Sequence, residues 1–177
     1  VLESERQIAV ALARTADDEL THLFEQARAE GRLDGVAMVI DQAAQAIHGA
    51  LAPIVDAWCG ATGHITGTVG RNKNGPGRRR GHGHPGYRPP AALQRLIQRR
   101  HSTCVFPTCN RKAIHCDLDH STPYHKGGVT CRCNMSPLCR PHHRIFKQHR
   151  QWRLIQIWPG LLIWITPAGT WHIVLPE

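Results

Sequence analysis

The sequence predicts an α+β fold with helices at the N-terminus, a flexible basic linker, and an antiparallel β-meander at the C-terminus. Three features of the chain favour this fold. Apolar residues recur at helical spacing over residues 3–30, glycine, proline and arginine dominate residues 60–90, and short apolar runs separated by turns follow residue 151. Because 41% of the 177 residues are hydrophobic, the chain can bury a modest core.

The first third of the chain, residues 1–59, is predicted to be a helical domain. One helix is expected over residues 3–30, with Gly31 as its stop signal. A second helix is expected from residue 35 to residue 51, ending before Pro53. We find no motif in this part that carries chemistry.

Residues 60–90 are interpreted as a flexible cationic linker. Glycines and prolines punctuate this segment, it contains no acidic residue, and three consecutive arginines occupy positions 78–80. The linker either binds along the phosphate backbone of a nucleic acid or only connects the segments on either side of it. The sequence is compatible with both. We interpret His82 and His84 as ordinary linker residues rather than metal ligands.

The charge of the chain is divided unevenly. Residues 1–59 carry ten acidic and four basic residues, whereas residues 60–177 carry three acidic and eighteen basic residues, a net charge of +15. A strongly basic segment favours a polyanionic partner, because each neutralised phosphate releases counterions. We therefore expect nucleic acid as the partner and no membrane, since no apolar stretch approaches the roughly 20 residues that span a bilayer.

The C-terminal part, residues 91–177, is predicted to begin with a helix and to end with the meander. Pro89-Pro90 can start a helix over residues 91–100, which would have one apolar face and one basic face. Three strands separated by turns are expected between residues 151 and 176. Four tryptophans in this tail could stack nucleic-acid bases, but packing in the core of a small sheet is the favoured interpretation: Trp152, Trp158, Trp164 and Trp171.

Six of the seven cysteines lie between residues 101 and 149. No secretion signal is evident, so we expect a cytoplasmic protein whose cysteines bind metal. The spacing gives two short pairs about thirty residues apart, which is what a tetrahedral zinc site needs. The predicted zinc ligands are Cys104, Cys109, Cys139 and His142. The remaining thiols are interpreted as free, although a swapped ligand or a second metal stays open: Cys116, Cys131 and Cys133.

A second cluster of polar residues lies between the two ligand pairs. Asp119 is a hard oxygen ligand of the kind that Mg²⁺ or Mn²⁺ prefers, and His143 can bind a cation through a neutral ring nitrogen. If Asp119 and His120 lie in a strand, their side chains face opposite ways, which leaves His120 available as a general base. This spacing predicts a one-metal hydrolytic site.

The segment from Cys104 to Lys147 resembles the HNH, or ββα-metal, endonuclease family. More narrowly, it is similar to actinobacterial repeat-type proteins that join an N-terminal helical domain to a C-terminal HNH domain. The matching pieces are TCVFP at 103–107, CDLDH at 116–120, Pro123-Tyr124, Gly127-Gly128, Asn134 and PLCRPHHR at 137–144. The chain departs from the family at Thr108, where glycine is usual, and at Met135, where leucine is common. The likeness is weaker over residues 60–80, which leaves open whether the N-terminal domain is truncated.

The resemblance implies a zinc-stabilised HNH nuclease domain at residues 91–177 that cuts DNA, with double-stranded DNA as the expected substrate. By this resemblance His120 activates water, Asp119 and His143 hold a catalytic Mg²⁺ or another divalent cation, and Asn134 braces the loop between strand and helix. The predicted zinc ligands would keep a structural role. We expect flanking phosphates to bind three basic residues: Arg140, Arg144 and Lys147.

Two other functions compete with the nuclease. A zinc-stabilised module that binds nucleic acid without cutting it would keep the zinc ligands and the basic surface, but would not need Asp119, His120, Asn134 or His143. A structural zinc fold that mediates protein contacts is less compatible with the net charge of +15 over residues 60–177.

Overall fold

The structure is a computed structural model that describes residues 2–31, 41, 44–45, 83–148 and 152–177. The helices are α1 (Leu2–Ala29), α2 (Ala91–Arg100) and α3 (Arg140–Gln148), and the strands are β1 (Asp117–His120), β2 (Met135–Leu138), β3 (Arg153–Trp158), β4 (Leu161–Ile165) and β5 (Trp171–Val174). This arrangement confirms the α+β class, the first predicted helix and the helix at residues 91–100. The predicted helix over residues 35–51 falls almost wholly outside the described residues, and so do residues 60–82 of the predicted linker.

Strands β3, β4 and β5 form the predicted antiparallel meander. They pair in sequence order, with Ile155 opposite Ile163 and Ile163 opposite Ile173. Gly160 makes the turn between β3 and β4 with a φ of +83°, and a Cβ at this position would lie 2.6 Å from Cδ of Arg100. Only glycine meets both conditions, because other residues are strained at positive φ.

Helix α1 packs its apolar face against the meander. Its buried residues recur at helical spacing, and with the apolar residues of β3 and β4 they form one core: Ala9, Ala13, Ala16, Leu20, Phe24, Ile155, Ile157, Trp158, Leu161, Ile163 and Ile165. Trp158 Nε1 donates a hydrogen bond to the Glu5 carbonyl at 3.2 Å. The helix from the predicted N-terminal domain and the predicted C-terminal meander therefore share a core, while the domain boundaries themselves stay a prediction.

The tryptophans of the meander pack inside the protein. Trp158 and Trp164 are fully buried, and Trp164 Nε1 donates to the Val105 carbonyl at 2.8 Å. Trp171 is partly buried, stacks on Phe24 with ring centroids 5.3 Å apart, and donates from Nε1 to Asp17 at 2.7 Å. Packing in the core is thus confirmed for Trp158 and Trp164, while Trp152 and Trp171 are partly buried against other aromatic rings.

Strands β1 and β2 form a separate antiparallel pair, and α3 begins two residues after β2 ends. Asp119 lies opposite Ser136, and His120 lies opposite Met135. Helix α2 packs on β2 through a small apolar cluster of Leu93, Ile97 and Met135. This two-strand and helix unit positions the predicted site residues.

A buried group of charges joins α1 to the unit that contains β1 and β2. The Glu5 side chain is 2% exposed and lies 3.1 Å from the Arg132 guanidinium. Burial raises the pKa of Glu5, although Arg132 and Arg100 oppose the rise. Burial also lowers the pKa of Arg100 to about 10, and its Nη2 donates to the Met135 carbonyl at 3.1 Å. None of the helices in the described ranges is long and apolar enough to cross a membrane.

Candidate functional site

Four side chains with metal-binding atoms converge where the cysteine-rich loop meets the start of α3. The donor atoms of Cys104, Cys109, Cys139 and His142 all lie within 4.8 Å of one another, so this group could hold a metal ion. His142 Nδ1 is 3.7 Å from Cys104 Sγ and 3.2 Å from Cys139 Sγ. Sulfur and nitrogen ligands at tetrahedral angles around zinc lie about 3.6 Å apart, so the spacing fits that ion.

Local backbone geometry brings together the two ligands of each pair, Cys104 with Cys109 and Cys139 with His142. Thr108, one residue before Cys109, has a φ of +65° in the turn that returns the chain toward Cys104. Cys139 ends the connection from β2, and His142 lies in the first turn of α3, which tolerates Pro141. The Cys139 amide donates to Cys104 Sγ at 3.3 Å, which ties the two pairs together.

The surroundings of the four ligands suit a bound cation. Burial raises the pKa of the Cys104 thiol to about 12, so a nearby positive ion is needed to ionise it near neutral pH. Burial, with a smaller effect of Arg111, lowers the pKa of His142 and favours the neutral imidazole that binds metal. Phe106 stacks on His142 with ring centroids 4.0 Å apart and fixes the orientation of that ring.

The other three cysteines of this segment lie outside the ligand group. None of the six described cysteines forms a disulfide. Cys116 donates from Sγ to the Lys112 carbonyl at 3.4 Å, and burial raises its pKa to about 11. Cys131 is buried and accepts the Cys133 amide at 3.4 Å. The Cys116 side chain also contacts that of Cys104, so Cys116 borders the ligand group without belonging to it.

Asp119 and His143 meet between strand β1 and helix α3. Asp119 Oδ1 lies 3.2 Å from His143 Nε2, and the two side chains are 11% and 24% exposed. This nitrogen is buried and makes no hydrogen bond within the described part of the chain, so the contact is close without hydrogen-bond geometry. Two ligands at right angles around a cation at about 2.1 Å lie about 3.0 Å apart, so the pair fits neighbouring positions of an octahedral ion.

His120 occupies the last position of β1 and is 4% exposed. Its Nε2 lies 2.9 Å from the Thr130 hydroxyl. Tyr87 stacks on the imidazole with ring centroids 5.1 Å apart, and Tyr124 lies at 5.7 Å. Because the side chains of adjacent residues in a strand face opposite ways, His120 and Asp119 project from opposite sides of β1.

Asn134 braces the loop that joins β1 to β2, whereas the resemblance assigned it to the loop between strand and helix. Its Oδ1 accepts the Thr122 amide at 2.8 Å, and its Nδ2 donates to the carbonyls of Thr122 and Val129, each at 3.0 Å. Gly128 closes the same loop, since a Cβ at this position would lie 1.8 Å from the Thr122 carbonyl oxygen. The amide of Asn134 therefore holds both ends of the loop that approaches His120.

The predicted phosphate-binding residues lie on α3. Arg140 is 80% exposed and lies 3.7 Å from the carboxylate of Asp117, and Arg144 is also exposed. The side chain of Lys147 lies outside the described residues. At least the first two are open to a partner.

Sequence reasoning missed the residues that surround His120. Residues 83–90 were assigned to the flexible linker, but they pack against the site, since His84 forms a bridge with Thr130 and the Tyr124 hydroxyl donates to the Pro85 carbonyl at 2.7 Å. Tyr87, in the same segment, stacks on His120. No spacing rule singles out Thr130 or Tyr87. The one hint is a tyrosine standing within a segment otherwise rich in glycine, proline and basic residues.

Comparisons with known proteins find relatives that are much longer than this chain. No family model matches the chain, and no solved structure matches it. It is 38% identical over 93 residues to the uncharacterized protein Rv3776 of Mycobacterium tuberculosis, covering 52% of this chain and 18% of that protein. It is also 38% identical over 107 residues to the uncharacterized protein Rv2100 of the same species, covering 52% and 19%. The chain thus spans less than a fifth of the length of these relatives and is similar to one part of them.

Proposed function

We propose that this chain is a metal-dependent HNH endonuclease that hydrolyses phosphodiester bonds in DNA. The observation that supports the proposal best is the 3.2 Å contact between Asp119 Oδ1 and His143 Nε2, beside His120 on the same strand. The order of two antiparallel strands and a helix, with candidate ligands on a strand and on the helix, is compatible with the family that the sequence resembles.

We assign separate metals to the adjacent histidines of α3. His142, with the three cysteines, would hold a structural zinc ion that supplies folding free energy. His143, with Asp119, would hold Mg²⁺ or another divalent cation, and such a cation would neutralise charge on the reacting phosphate and on the departing oxygen. The first turn of α3 would thus provide one ligand of the structural zinc, His142, and one ligand of the catalytic cation, His143.

His120 is the proposed general base. It would take a proton from a water molecule, which then attacks the phosphorus in line while the bond to the leaving oxygen breaks. Because Tyr87 covers a face of the imidazole, water and phosphate must reach the ring at its edge. Asn134 would act indirectly by holding the neighbouring loop.

The basic surface supports nucleic acid as the substrate. The net charge of +15 over residues 60–177 favours a polyanion, and Arg140 and Arg144 are exposed on the helix that carries His143. Their guanidinium groups can bind phosphates on either side of the cleavage point.

A zinc-stabilised nucleic-acid-binding module without catalysis is the second candidate. The low exposure of His120, 4%, favours it, because a general base needs access to water. The buried His143 Nε2, held close to a carboxylate without a hydrogen bond, argues against it, since binding alone does not require that pair.

Nicking of supercoiled plasmid by the purified protein distinguishes the two candidates. We expect cleavage with Mg²⁺, Mn²⁺ or Ni²⁺ and none with chelator. His120→Ala should lower the rate by about 10²- to 10⁴-fold, as for loss of a general base. His125→Ala, which alters an exposed histidine of the same loop, is the matched control and should cleave like the parent.

A second pair of variants tests the division of the metals. His143→Ala should retain one equivalent of zinc and lose cleavage, whereas His142→Ala should lose zinc. Parent protein that binds DNA yet never cleaves it with any of these ions would favour the binding module. Cleavage by His120→Ala at the parental rate would remove His120 from the mechanism.

A further inference from the structure

The Thr130 hydroxyl touches two different groups beside the candidate base. It lies 2.9 Å from His120 Nε2 and 3.3 Å from the main-chain carbonyl of Tyr87. Thr130 is 0% exposed, so bulk solvent does not satisfy its hydroxyl. Residues 83–87 hold it in place, because the His84 amide donates to the Thr130 carbonyl at 2.8 Å.

The hydroxyl has only one proton to share between these two neighbours. A carbonyl oxygen can only accept, so the contact with Tyr87 is a hydrogen bond only if Thr130 donates to it. The hydroxyl oxygen must then accept a proton from the imidazole. The opposite arrangement, with Thr130 donating to Nε2, would leave two oxygen atoms facing each other at 3.3 Å with no proton between them.

We propose that Thr130 and the Tyr87 carbonyl fix the tautomer of His120, with the proton on Nε2 and the lone pair on Nδ1. In a neutral imidazole one nitrogen donates and the other accepts. Nδ1 is therefore the atom that takes the proton from water in the proposed nuclease, and Thr130 is a positioning residue. The role of Nδ1 rests on the proposed function, whereas the tautomer itself does not.

The segment that contains the Tyr87 carbonyl, residues 83–87, lies close to Thr130. Residues 83–87 precede α2 and are far from His120 along the chain. Their backbone nevertheless pairs with Thr130 and provides the Tyr87 carbonyl that accepts the Thr130 hydroxyl. A Cβ at Gly83, where φ is +100°, would lie 3.1 Å from Val129 and 3.3 Å from the Thr130 carbonyl, so the approach needs glycine. This segment therefore belongs to the site and does not only tether it.

Nitrogen-15 NMR of the imidazoles in the full zinc-loaded chain, at about pH 9 where an ordinary histidine is neutral, tests the tautomer directly. The His120 signals are identified by their absence from His120→Ala. We expect the proton on Nε2 in the parent and in Thr130→Ser, which keeps the hydroxyl. In Thr130→Val, which keeps the shape but removes the hydroxyl, the protonated fraction at Nε2 should fall.

Plasmid nicking gives the second readout. Thr130→Val should cleave about 10- to 100-fold more slowly, and Thr130→Ser should restore most of the rate. A parent spectrum with the proton on Nδ1 overturns the proposal, even if the protein cleaves DNA. A parent that shows the Nε2 proton but never cleaves supports the tautomer and contradicts the nuclease. The parent spectrum decides the question even if Thr130→Val does not fold.

Discussion

Two regions of the molecule are stabilised in different ways. The helix–meander region, residues 2–29 and 153–174, is built from one long helix and three strands around a continuous apolar core. The cysteine region, residues 83–148, has short elements and a small apolar cluster of its own, and four metal-binding side chains converge in it. A second buried cluster joins Cys104, Val105, Leu138 and Cys139 to Leu162 and Trp164 of β4. Because the cysteine region has little apolar burial of its own, we expect it to depend on a bound metal more than the larger core does.

The two regions also differ in whether they contain candidate catalytic residues. The candidate catalytic residues lie in the cysteine region, where loops and short strands hold them by specific hydrogen bonds such as those of Asn134. The helix–meander region contains no residue that we assign to the reaction. It supports the cysteine region through Trp164 and through the buried Glu5.

Removal of a metal bound by Cys104, Cys109, Cys139 and His142 should have the largest effect and should act on one region. Structural zinc contributes about 10–16 kcal/mol in small domains, which is as large as the usual net stability of a fold, about 5–15 kcal/mol. With chelator or in Cys139→Ser, we expect hydrogen exchange to become fast over residues 104–143 while the amides of β3–β5 remain protected. Cys131→Ser, which changes a buried thiol outside the ligand group, is the control. Equal protection of both regions without metal would break the comparison.

A cavity in the larger core should act on the other region. Leu161 is fully buried, so Leu161→Ala should lower the free energy of unfolding by about 2–5 kcal/mol. Leu175→Ala, at a position that is 38% exposed, is the control and should change the free energy of unfolding much less. Both are measured by urea unfolding with excess zinc. A negligible effect of Leu161→Ala would contradict the contribution of this core to the stability of the protein.

The connection between the regions can be weakened at Glu5, whose side chain is buried. Glu5→Ala removes the side chain that lies 3.1 Å from Arg132 and leaves a void where α1 meets the unit that contains β1 and β2. We expect a loss of about 2 kcal/mol in the free energy of unfolding, because a buried side chain loses its packing. Glu25→Ala, on the exposed face of the same helix, should have almost no effect. Similar values for the two variants would show that the buried Glu5 side chain does not stabilise the junction.

His101, also at the junction, should make stability depend on pH. Burial, with a smaller effect of Arg100, lowers its pKa to about 3, while the unfolded chain has the ordinary value of about 6.5. Between these values the unfolded state binds more protons, so the contribution is complete above pH 6.5 and is lost as the pH falls toward 3.

The loss should be about 2 kcal/mol between pH 8 and pH 5. His101→Asn does not titrate in this range, so its unfolding free energy should fall less over the same interval, with zinc in excess. A parallel decline in parent and variant would assign the pH dependence to other groups, such as the metal ligands.

Thr108 offers the smallest effect and the only stabilising one. Its φ of +65° is strained for a residue with a Cβ, and its side chain is exposed. Thr108→Gly should raise the free energy of unfolding of the zinc-loaded protein by about 1 kcal/mol. Thr108→Ala keeps the Cβ and is the control. If Thr108→Gly destabilises the protein, the gain in chain entropy on unfolding outweighs the relieved strain.

The two regions also differ in how far the sequence predicted them. Helical periodicity predicted α1, and short apolar runs separated by turns predicted the meander. Both predictions were possible because the spacing of apolar residues along the chain indicates which face of a helix or strand is buried. The spacing of Cys104, Cys109, Cys139 and His142 predicted a ligand group that the structure brings together. Asp119 and His143 were also predicted as a pair, although the structure alone gave the distance between them.

Sequence by itself therefore determined α1, α2, the meander, the donor groups of the metal-binding cluster and the basic character of the chain. Tertiary structure alone decided that Tyr87 stacks on His120, that the Thr130 hydroxyl contacts its imidazole, and that Glu5 is buried beside Arg132. The physical reason is the range of the interactions. Periodicity and ligand spacing depend on neighbours along the chain, whereas these contacts join segments whose proximity is set only when the cores are packed.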